Sequence, residues 1–336
     1  MAYFHFPPAW SISAAATPES VFVNRRQVVS ALGLGSLALA APTWARPQSG
    51  DGAAAGDAAG GVVPNMKPAL ERFGEKFPAQ RNKSYGIGDL PLTPESIAAQ
   101  FNNFYEFTTT KDRVWELAQD YRVDPWKVEV KGLVKRPQTL DLDDIMGRFP
   151  LEERLYRFRC VERWAMQVPW TGYPLRKLID ALDPLPSAKW VRFVSVLDKQ
   201  GLPGQRKQSY YPWPYYEALR MDEARHDLAF LVVGSYGHAL PMQHGAPWRL
   251  ACPWKYGYKS PKSIVEIEFT DQQPGTFWND LQEDEYGFYS NVEPHKPHPR
   301  WSQKWEQDIG TGETRDSELY NGYAELVGSM YTGDEV

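Results

Sequence analysis

The chain has 336 residues, a net charge of −5 and a pI of about 5.8, and 14% of its residues are aromatic. It contains no basic block, which argues against nucleic acid as a partner. This length allows one large domain or two small ones.

The first 45 residues have the layout of a twin-arginine signal peptide with an N-terminal extension. Arg25 and Arg26 precede an apolar stretch, and the small-x-small sequence Thr43-Trp44-Ala45 follows it. The stretch is shorter than the ~20 residues that cross a bilayer, and glycines interrupt it, so a permanent membrane anchor is disfavoured. We therefore expect export to the periplasm by a pathway that carries folded proteins, many of which bind a cofactor first.

Residues 46–66 are rich in glycine and alanine, which predicts a flexible linker that cannot bury a core. The globular part then begins near Lys67. Because no second linker interrupts residues 67–336, we expect them to form a single catalytic domain.

Hydrophobic periodicity after Lys67 switches between two and 3.6 residues. This predicts an α+β fold with mixed sheets and long loops that carry function. Helices are predicted over 142–148 and, with Pro174 as the first helical residue, over 175–182. Strands are predicted over 126–131, 156–160, 191–197, 228–233 and 263–269.

Two of these strands carry a notable polar group. Alternation puts Cys160 near the end of its strand, on the apolar face with Tyr156 and Phe158. Ser195 shares a face with apolar residues of its own strand, so its hydroxyl needs a hydrogen-bond partner.

Cys160 admits several interpretations. A buried small side chain or a disulfide with Cys252, the other cysteine, is typical of an oxidising compartment. Zinc is disfavoured because no Cys-x-x-Cys or His-Glu-x-x-His occurs, and His295 and His298 lie in a proline-broken loop. A cysteine protease is disfavoured because it needs an exposed, histidine-paired thiolate, whereas Cys160 is flanked by Phe158 and Val161 within a predicted strand. One thiolate can also ligate a metal whose other ligands come from a cofactor, as in haem-thiolate and molybdenum-pterin centres.

Two later segments are typical of a phosphate site. Residues 244–249 and 259–262 supply a guanidinium, two ammonium groups, a hydroxyl and glycine-flanked turns within an apolar stretch. Such groups suit a phosphate-bearing pterin better than haem. The cations are Arg249, Lys259 and Lys262.

These segments belong to a series of motifs: Asn102-Asn103-Phe104-Tyr105-Glu106-Phe107, Arg157-Phe158-Arg159-Cys160-Val161-Glu162, Gly245-Ala246-Pro247-Trp248-Arg249, Pro253-Trp254-Lys255-Tyr256-Gly257, Glu285-Tyr286-Gly287-Phe288-Tyr289-Ser290-Asn291-Val292 and His298-Pro299-Arg300-Trp301-Ser302-Gln303. In this order they resemble the catalytic subunits of periplasmic protein-methionine-sulfoxide reductases, molybdopterin enzymes of the sulfite oxidase superfamily. The resemblance runs from Glu19 nearly to Tyr323.

The resemblance implies a molybdenum-molybdopterin cofactor (Mo-MPT) in a sulfite oxidase-type fold. Cys160 would be the catalytic thiolate ligand to molybdenum. Two positions depart from the family pattern, because Ser195 stands where threonine is frequent and His244 where asparagine is expected. The residues implied to hold the pterin and its phosphate are Asn102, Tyr105, Glu106, Ser195, His244, Arg249, Ser260, Pro261 and Lys262.

The implied reaction is the reduction of protein-bound and free methionine sulfoxide to methionine in the periplasm. The resemblance implies that electrons come from a membrane haem-b subunit that oxidises quinol. This chain has no Cys-x-x-Cys-His haem motif, so we expect an external electron donor. The chain ends too soon after Lys262 for the C-terminal dimerisation domain of vertebrate and plant sulfite oxidases. We therefore expect a monomeric catalytic subunit in a heterodimer. Its candidate substrate contacts are Trp164, Trp254 and Tyr256.

Two alternatives remain at this point. One is a sulfite-oxidising relative with the same cofactor, which should surround its metal with several arginines because sulfite is a dianion. The other is an exported non-enzymatic binding protein in which Cys160 forms a disulfide with Cys252.

Overall fold

The computed structural model describes residues 69–333 and 335, so the predicted signal peptide and linker lie outside the described residues. The chain divides into two units, Met1–Ala59 and Gly60–Val336, and every described residue belongs to the second. Within the described part, no helix has both the length and the apolar character needed to span a membrane.

Two sheets form the framework of the described residues. The strands are β1 Gln80–Arg81, β2 Lys127–Gly132, β3 Gln138–Asp141, β4 Glu152–Arg159, β5 Trp164–Pro174, β6 Trp190–Ser195, β7 Tyr216–Arg220, β8 Phe230–Ser235, β9 His238–Ala239, β10 Arg249–Ala251, β11 Ile264–Thr270, β12 Trp305–Asp308 and β13 Thr314–Asp316. The larger sheet has the order β1-β4-β5-β12-β13; β8 also pairs with β5, and β9 and β10 pair with β8. The smaller sheet has the order β3-β2-β11-β6-β7.

Short helices connect and cover these sheets. The α-helices are α1 Glu95–Gln100, α2 Val114–Ala118, α3 Leu142–Gly147, α4 Leu175–Leu182, α5 Pro203–Lys207, α6 Met221–Arg225, α7 Phe277–Leu281 and α8 Ala324–Val327. Single 3₁₀ turns occur at Glu71–Lys76, Lys111–Arg113, Met242–His244, Gly257–Lys259, Leu319–Gly322 and Gly328–Met330. The α+β prediction is confirmed.

The helix predictions are confirmed, with one change at a terminus. Helix α3 begins after Asp141, whose carboxylate accepts from the Asp144 amide while Asp144 accepts from the Asp141 amide. This reciprocal capping box explains the sharp start of α3. Helix α4 buries its apolar stripe over its whole length. Pro174 is the last residue of β5 and caps α4 instead of forming its first turn.

Each predicted strand overlaps an observed one, but the ends differ by one to four residues. The strand predicted over 228–233 begins two residues later because the Ala229 amide closes a turn onto the His226 carbonyl. Strand β6 ends at Ser195, and Leu197 is exposed. Strand β4 ends at Arg159, so Cys160 lies in the following turn and not within the strand.

Strands β4 and β5 form the central hairpin, with Phe158 opposite Met166 and Arg159 opposite Ala165. The sequence analysis missed β5 because ten of its eleven residues are buried, which leaves no alternating pattern to read. The polar face of β4 is buried as well. Arg159 lies there with its Nε 3.0 Å from Glu306 Oε2, and both side chains are 0% exposed.

Removing the Glu306 carboxylate would leave the Arg159 guanidinium charged and unpaired in the interior. We expect Glu306→Ala to lower the free energy of unfolding by about 3–5 kcal/mol. Glu318, which pairs with Arg157 at 2.6 Å but is 58% exposed, is the matched control, and Glu318→Ala should cost less than about 1 kcal/mol. Urea denaturation measures both. Equal losses would contradict a special role for the buried pair.

Candidate functional site

A tight turn between β4 and β5 presents the Cys160 side chain. The Cys160 amide donates to the Trp164 carbonyl at 2.8 Å, and the Arg163 amide donates to the Cys160 carbonyl at 2.9 Å. Arg163 has a left-handed backbone with φ 73°. The turn therefore reverses the chain within a few residues and leaves the thiol on its inner side, 7% exposed as a residue.

Residues from the C-terminal part of the chain hold this turn. The Val161 carbonyl accepts from Trp301 Nε1 and from Gln303 Nε2, both at 2.8 Å. The Arg159 guanidinium donates to the Cys160 carbonyl and, at 2.8 Å, to Gln303 Oε1. These bonds join the first two residues of the turn, Cys160 and Val161, to one distant segment, so the thiol has a defined position.

The Cys160 sulfur is surrounded by hydrogen-bond donors and one carboxylate. Asn103 Nδ2 lies 3.2 Å and the Glu162 amide 3.4 Å from Sγ. Glu162 Oε2 lies 3.7 Å from Sγ and 2.9 Å from Lys111 Nζ. Burial, followed by the charge of Glu162, raises the pKa of Cys160 to about 12. The protein alone therefore favours the thiol, and a metal cation would be needed to favour the thiolate.

Aromatic side chains cover the other side of the sulfur. We call Cys160, Val161, Tyr256, Tyr286 and Val292, with which Trp164, Tyr258 and Trp278 pack, the Cys160 cluster. Trp164 and Tyr256, two of the expected substrate contacts, belong to it. The third expected substrate contact, Trp254, is wrong. Trp254 is fully buried in the main core, and its Nε1 donates to Tyr331 Oη at 2.8 Å.

A cationic site lies next to this cluster. Arg249 is buried at the start of β10, and its guanidinium donates to the carbonyls of His244 at 3.1 Å and Ser260 at 3.3 Å. The backbones of Lys262 and Arg249 form an isolated antiparallel β-bridge. Gly245 has φ 102°, and a Cβ there would lie 2.7 Å from Lys262 Cγ, so glycine is required for this close approach.

Electrostatics link the cationic site to the thiol. Burial, followed by the charge of Arg249, lowers the pKa of Lys262, whereas the charges of Glu106 and Cys160 act in the opposite direction. Burial also raises the pKa of Glu106. The two cations thus repel each other across a poorly hydrated space, and an added anion would relieve that repulsion.

The loop from Asn102 to Glu106 forms the third wall. Tyr105 is close enough to Cys160 and Glu162 for their charges to add to the effect of burial, which raises the pKa of its hydroxyl well above the usual value. The Glu106 carbonyl accepts from the Gly204 amide at 2.7 Å. A Cβ on Gly204 would lie 2.0 Å from the Tyr105 carbonyl oxygen, so only glycine permits this contact.

His244 and Asn102 meet at one carbonyl. Asn102 Nδ2 donates to the Ala98 carbonyl at 3.0 Å, and His244 also hydrogen-bonds to that carbonyl. His244 Nδ1 lies 3.2 Å from Ser235 Oγ, and burial lowers the pKa of His244 to about 3. A neutral imidazole therefore stands where the family pattern has a neutral amide.

The remaining predicted residues divide into two groups. Ser195 is 1% exposed, and its neighbour Val196 bonds through its amide to the Ser263 carbonyl at 3.0 Å, beside Lys262. In contrast, Ser260 and Pro261 are engaged with the strand β10. The Ser260 hydroxyl accepts from the Cys252 amide at 3.2 Å, and the Pro261 carbonyl accepts from the Leu250 amide at 3.0 Å.

Two expectations about charge and thiol pairing are wrong. Lys259 does not belong to the cationic site, because its Nζ lies 2.6 Å from Glu217 Oε2 and both side chains are 1% exposed. Cys160 and Cys252 are both free thiols, so the disulfide alternative fails. Cys252 packs in the main core, whereas Cys160 lies in its own cluster.

Sequence reasoning missed the groups closest to the sulfur. Asn103, Glu162 and Lys111 contact or pair beside Cys160, and Gln243 precedes His244 with a buried amide. Asn103 and Glu162 lie inside the motifs described above, so their position in those motifs could have indicated that they lie near Cys160. No sequence feature indicated Lys111, because its pairing with Glu162 depends on the packing of two separate loops.

Comparison with known proteins identifies the family. A model described as an oxidoreductase molybdopterin binding domain matches residues 116–278. The protein-methionine-sulfoxide reductase catalytic subunit MsrP of Pseudomonas syringae pv. tomato (strain ATCC BAA-871 / DC3000) is 41% identical over 322 residues, which are 94% of this chain and 93% of that protein. The chain belongs to the MsrP family. It is therefore a molybdopterin-dependent oxidoreductase with molybdenum-molybdopterin as its cofactor.

A solved structure is a more distant neighbour. Sulfane dehydrogenase SoxCD from Paracoccus pantotrophus is 15% identical, with a TM-score of 0.42 over 77% of this chain and 62% of that chain.

The residues matched by the molybdopterin binding domain model include Cys160, Ser195, His244 and Arg249, whereas the loop from Asn102 to Glu106 precedes the matched region.

The described residues fit the cofactor of this family. Arg249 and Lys262 supply positive charge suited to a phosphate. Among the described residues, the buried atoms Ser195 Oγ, Asn102 Oδ1 and Gln243 Nε2 have no hydrogen-bond partner. Buried polar atoms require partners, and a polar ligand between the cations and the thiol would supply them.

Ser195→Ala separates a ligand role from a structural one. The change deletes a buried hydroxyl that the described protein groups do not satisfy, so the cofactor-free protein should keep its free energy of unfolding or gain about 1 kcal/mol. Cofactor content should fall, because a hydrogen bond to the ligand is lost. Molybdenum analysis, pterin fluorescence and urea denaturation test this. Ser195→Thr keeps the hydroxyl and should keep the cofactor; full content in Ser195→Ala would contradict the assignment.

Proposed function

We propose that this protein reduces methionine sulfoxide, both protein-bound and free, to methionine in the periplasm, with Cys160 as the thiolate ligand to molybdenum. One observation carries the proposal: a buried thiol lies between a cationic site and an aromatic cluster in a chain 41% identical to a protein-methionine-sulfoxide reductase subunit. When bound, molybdenum-molybdopterin supplies two-electron oxygen-atom-transfer chemistry.

The residues around the sulfur position the metal ligand. Asn103 Nδ2 and the Glu162 amide donate to Sγ, which stabilises negative charge on the sulfur and orients it. Arg249 and Lys262 hold the phosphate, and Asn102, Tyr105, Glu106, Ser195, His244, Ser260 and Pro261 hold the pterin and its phosphate together with them.

The aromatic side favours a neutral sulfur substrate. Tyr256, Tyr286, Trp164 and Trp278 provide ring surface that suits a thioether, which makes favourable contacts with aromatic edges. These rings also exclude water from the reacting group. The side chains of the Cys160 cluster include no cation that would attract a sulfite dianion, so they favour sulfoxide reduction over sulfite oxidation.

Export and electron supply complete the proposal. The twin-arginine sequence at Arg25 and Arg26 supports periplasmic export. The relative is named as a catalytic subunit, which supports a partner subunit, and its name supports proteins as substrates. We assign the electron donor to a membrane haem-b subunit, as the family resemblance implies. The sequence contains no Cys-x-x-Cys-His haem-attachment motif, which supports an external donor.

Cys160→Ser tests the ligand assignment. The wild type should contain about one molybdenum per chain and reduce methionine sulfoxide, whereas Cys160→Ser should lose most of its metal and its activity, because an alcohol is a poor substitute for a thiolate. Metal analysis and steady-state turnover measure the two quantities. Cys252→Ser changes the other buried thiol and should keep both.

Two results would overturn the proposal. Full molybdenum content and activity in Cys160→Ser would exclude the ligand role. Faster turnover of sulfite than of methionine sulfoxide by the same purified wild-type sample would exclude the reaction.

A further inference from the structure

A continuous row of aromatic side chains leads from the Cys160 cluster to the surface. Tyr286 belongs to the cluster, and its ring centroid lies 5.1 Å from that of Trp278. The next centroid, of Tyr211, lies 5.9 Å from Trp278, and that of Tyr210 lies 4.6 Å from Tyr211. Tyr210, at the outer end, is 41% exposed. We call these four side chains the aromatic row.

The aromatic row is held in place by neighbouring elements. Phe277 packs against Tyr211 at 5.7 Å and against Trp213 at 5.2 Å. Strand β7, which follows the loop carrying the outer rings, is also joined to α7, because Tyr216 Oη donates to Asp280 Oδ2 at 2.8 Å. A preorganised aromatic surface loses little conformational entropy when it binds a ligand.

The charges that flank the aromatic row in sequence are of both signs. Arg206 and Lys207 precede Tyr210 and are exposed, and Glu283 and Asp284 follow α7 and are also exposed. A site for nucleic acid or an anionic lipid surface would carry one sign of charge. Rings with polar edges and mixed surrounding charge suit a polypeptide of ordinary composition.

We propose that the accessible rings of the aromatic row, Tyr210 and the half-buried Trp278, bind the polypeptide residues that flank a methionine sulfoxide while the sulfoxide itself lies at the Cys160 cluster; the buried Tyr211 supports Tyr210 from beneath. This inference rests on the proposed function and names the surface that receives its protein substrates. Free methionine sulfoxide has no flanking residues. It can therefore use the inner rings but not Tyr210, which is three ring-to-ring steps from Tyr286.

Tyr210→Ala tests the outer end of the row. Steady-state kinetics with a reduced viologen dye as electron donor would compare a synthetic peptide containing one methionine sulfoxide with free methionine sulfoxide. The KM for the peptide should rise roughly three- to tenfold, the usual value of one aromatic contact, with kcat unchanged. Both constants for the free compound should stay at the wild-type values.

Two control variants separate the ring from other effects. Tyr210 and Tyr211 also interact through their hydroxyls, so Tyr210→Phe removes that contact but keeps the ring and should retain the wild-type KM for the peptide. Leu326, 55% exposed on α8, is an apolar surface residue elsewhere. Leu326→Ala should leave the kinetics for both substrates unchanged.

The outcomes are distinguishable. An unchanged peptide KM in Tyr210→Ala, or equal losses for peptide and free compound, would overturn the docking role while leaving the proposed function intact. A change in oligomeric state on size-exclusion chromatography, or slower turnover only with the membrane donor, would assign Tyr210 to another interface and overturn it too. A wild-type enzyme inactive on both substrates would overturn the proposed function and this inference together.

Discussion

The buried ion pair between Arg159 and Glu306 supports the position of the Cys160 thiol. Two charges without access to water are costly, and the cost is offset only because the guanidinium also bonds to the Cys160 carbonyl, Gln303 and Ser317. The same segment of the chain bonds to the Val161 carbonyl. The turn after β4 therefore depends on residues more than a hundred positions later in the sequence, and any weakening of that contact would let the Cys160 thiol move.

Two environments meet at Cys160. On one side, Arg249 and Lys262 create a region of positive charge with little water, where a phosphate is strongly favoured. On the other, the aromatic rings of the Cys160 cluster provide a surface for a neutral sulfur group. Under the proposed function, the cofactor would lie on the first side and the substrate on the second. Within the described residues, no group of three or more His, Cys, Asp or Glu side chains could hold a metal ion.

Local pattern and capping predicted much of the framework. Helices α3 and α4 were found because an apolar stripe and a defined N-terminus are local properties of the chain. Strand β5 was missed because burial on both faces removes the alternating signal. In the site, the motifs predicted a group of cofactor-binding residues, and the phosphate-site prediction misplaced Lys259. Lysines three positions apart look equivalent in sequence, and only packing shows that Lys259 pairs with the buried Glu217 whereas Lys262 faces Arg249.

The sequence by itself determined the family and the cofactor class, and it gave the prediction that Cys160 is the metal ligand, because these follow from residue types in a particular order along the chain. The tertiary structure decided which side chains surround that thiol. Asn103 and Glu162 meet at Sγ, and Lys111 pairs with Glu162, only after two loops pack together. Trp254 is excluded from the site because it lies in the main core. Hydrogen bonds and ion pairs act over a few ångströms in space, and sequence separation does not report that distance.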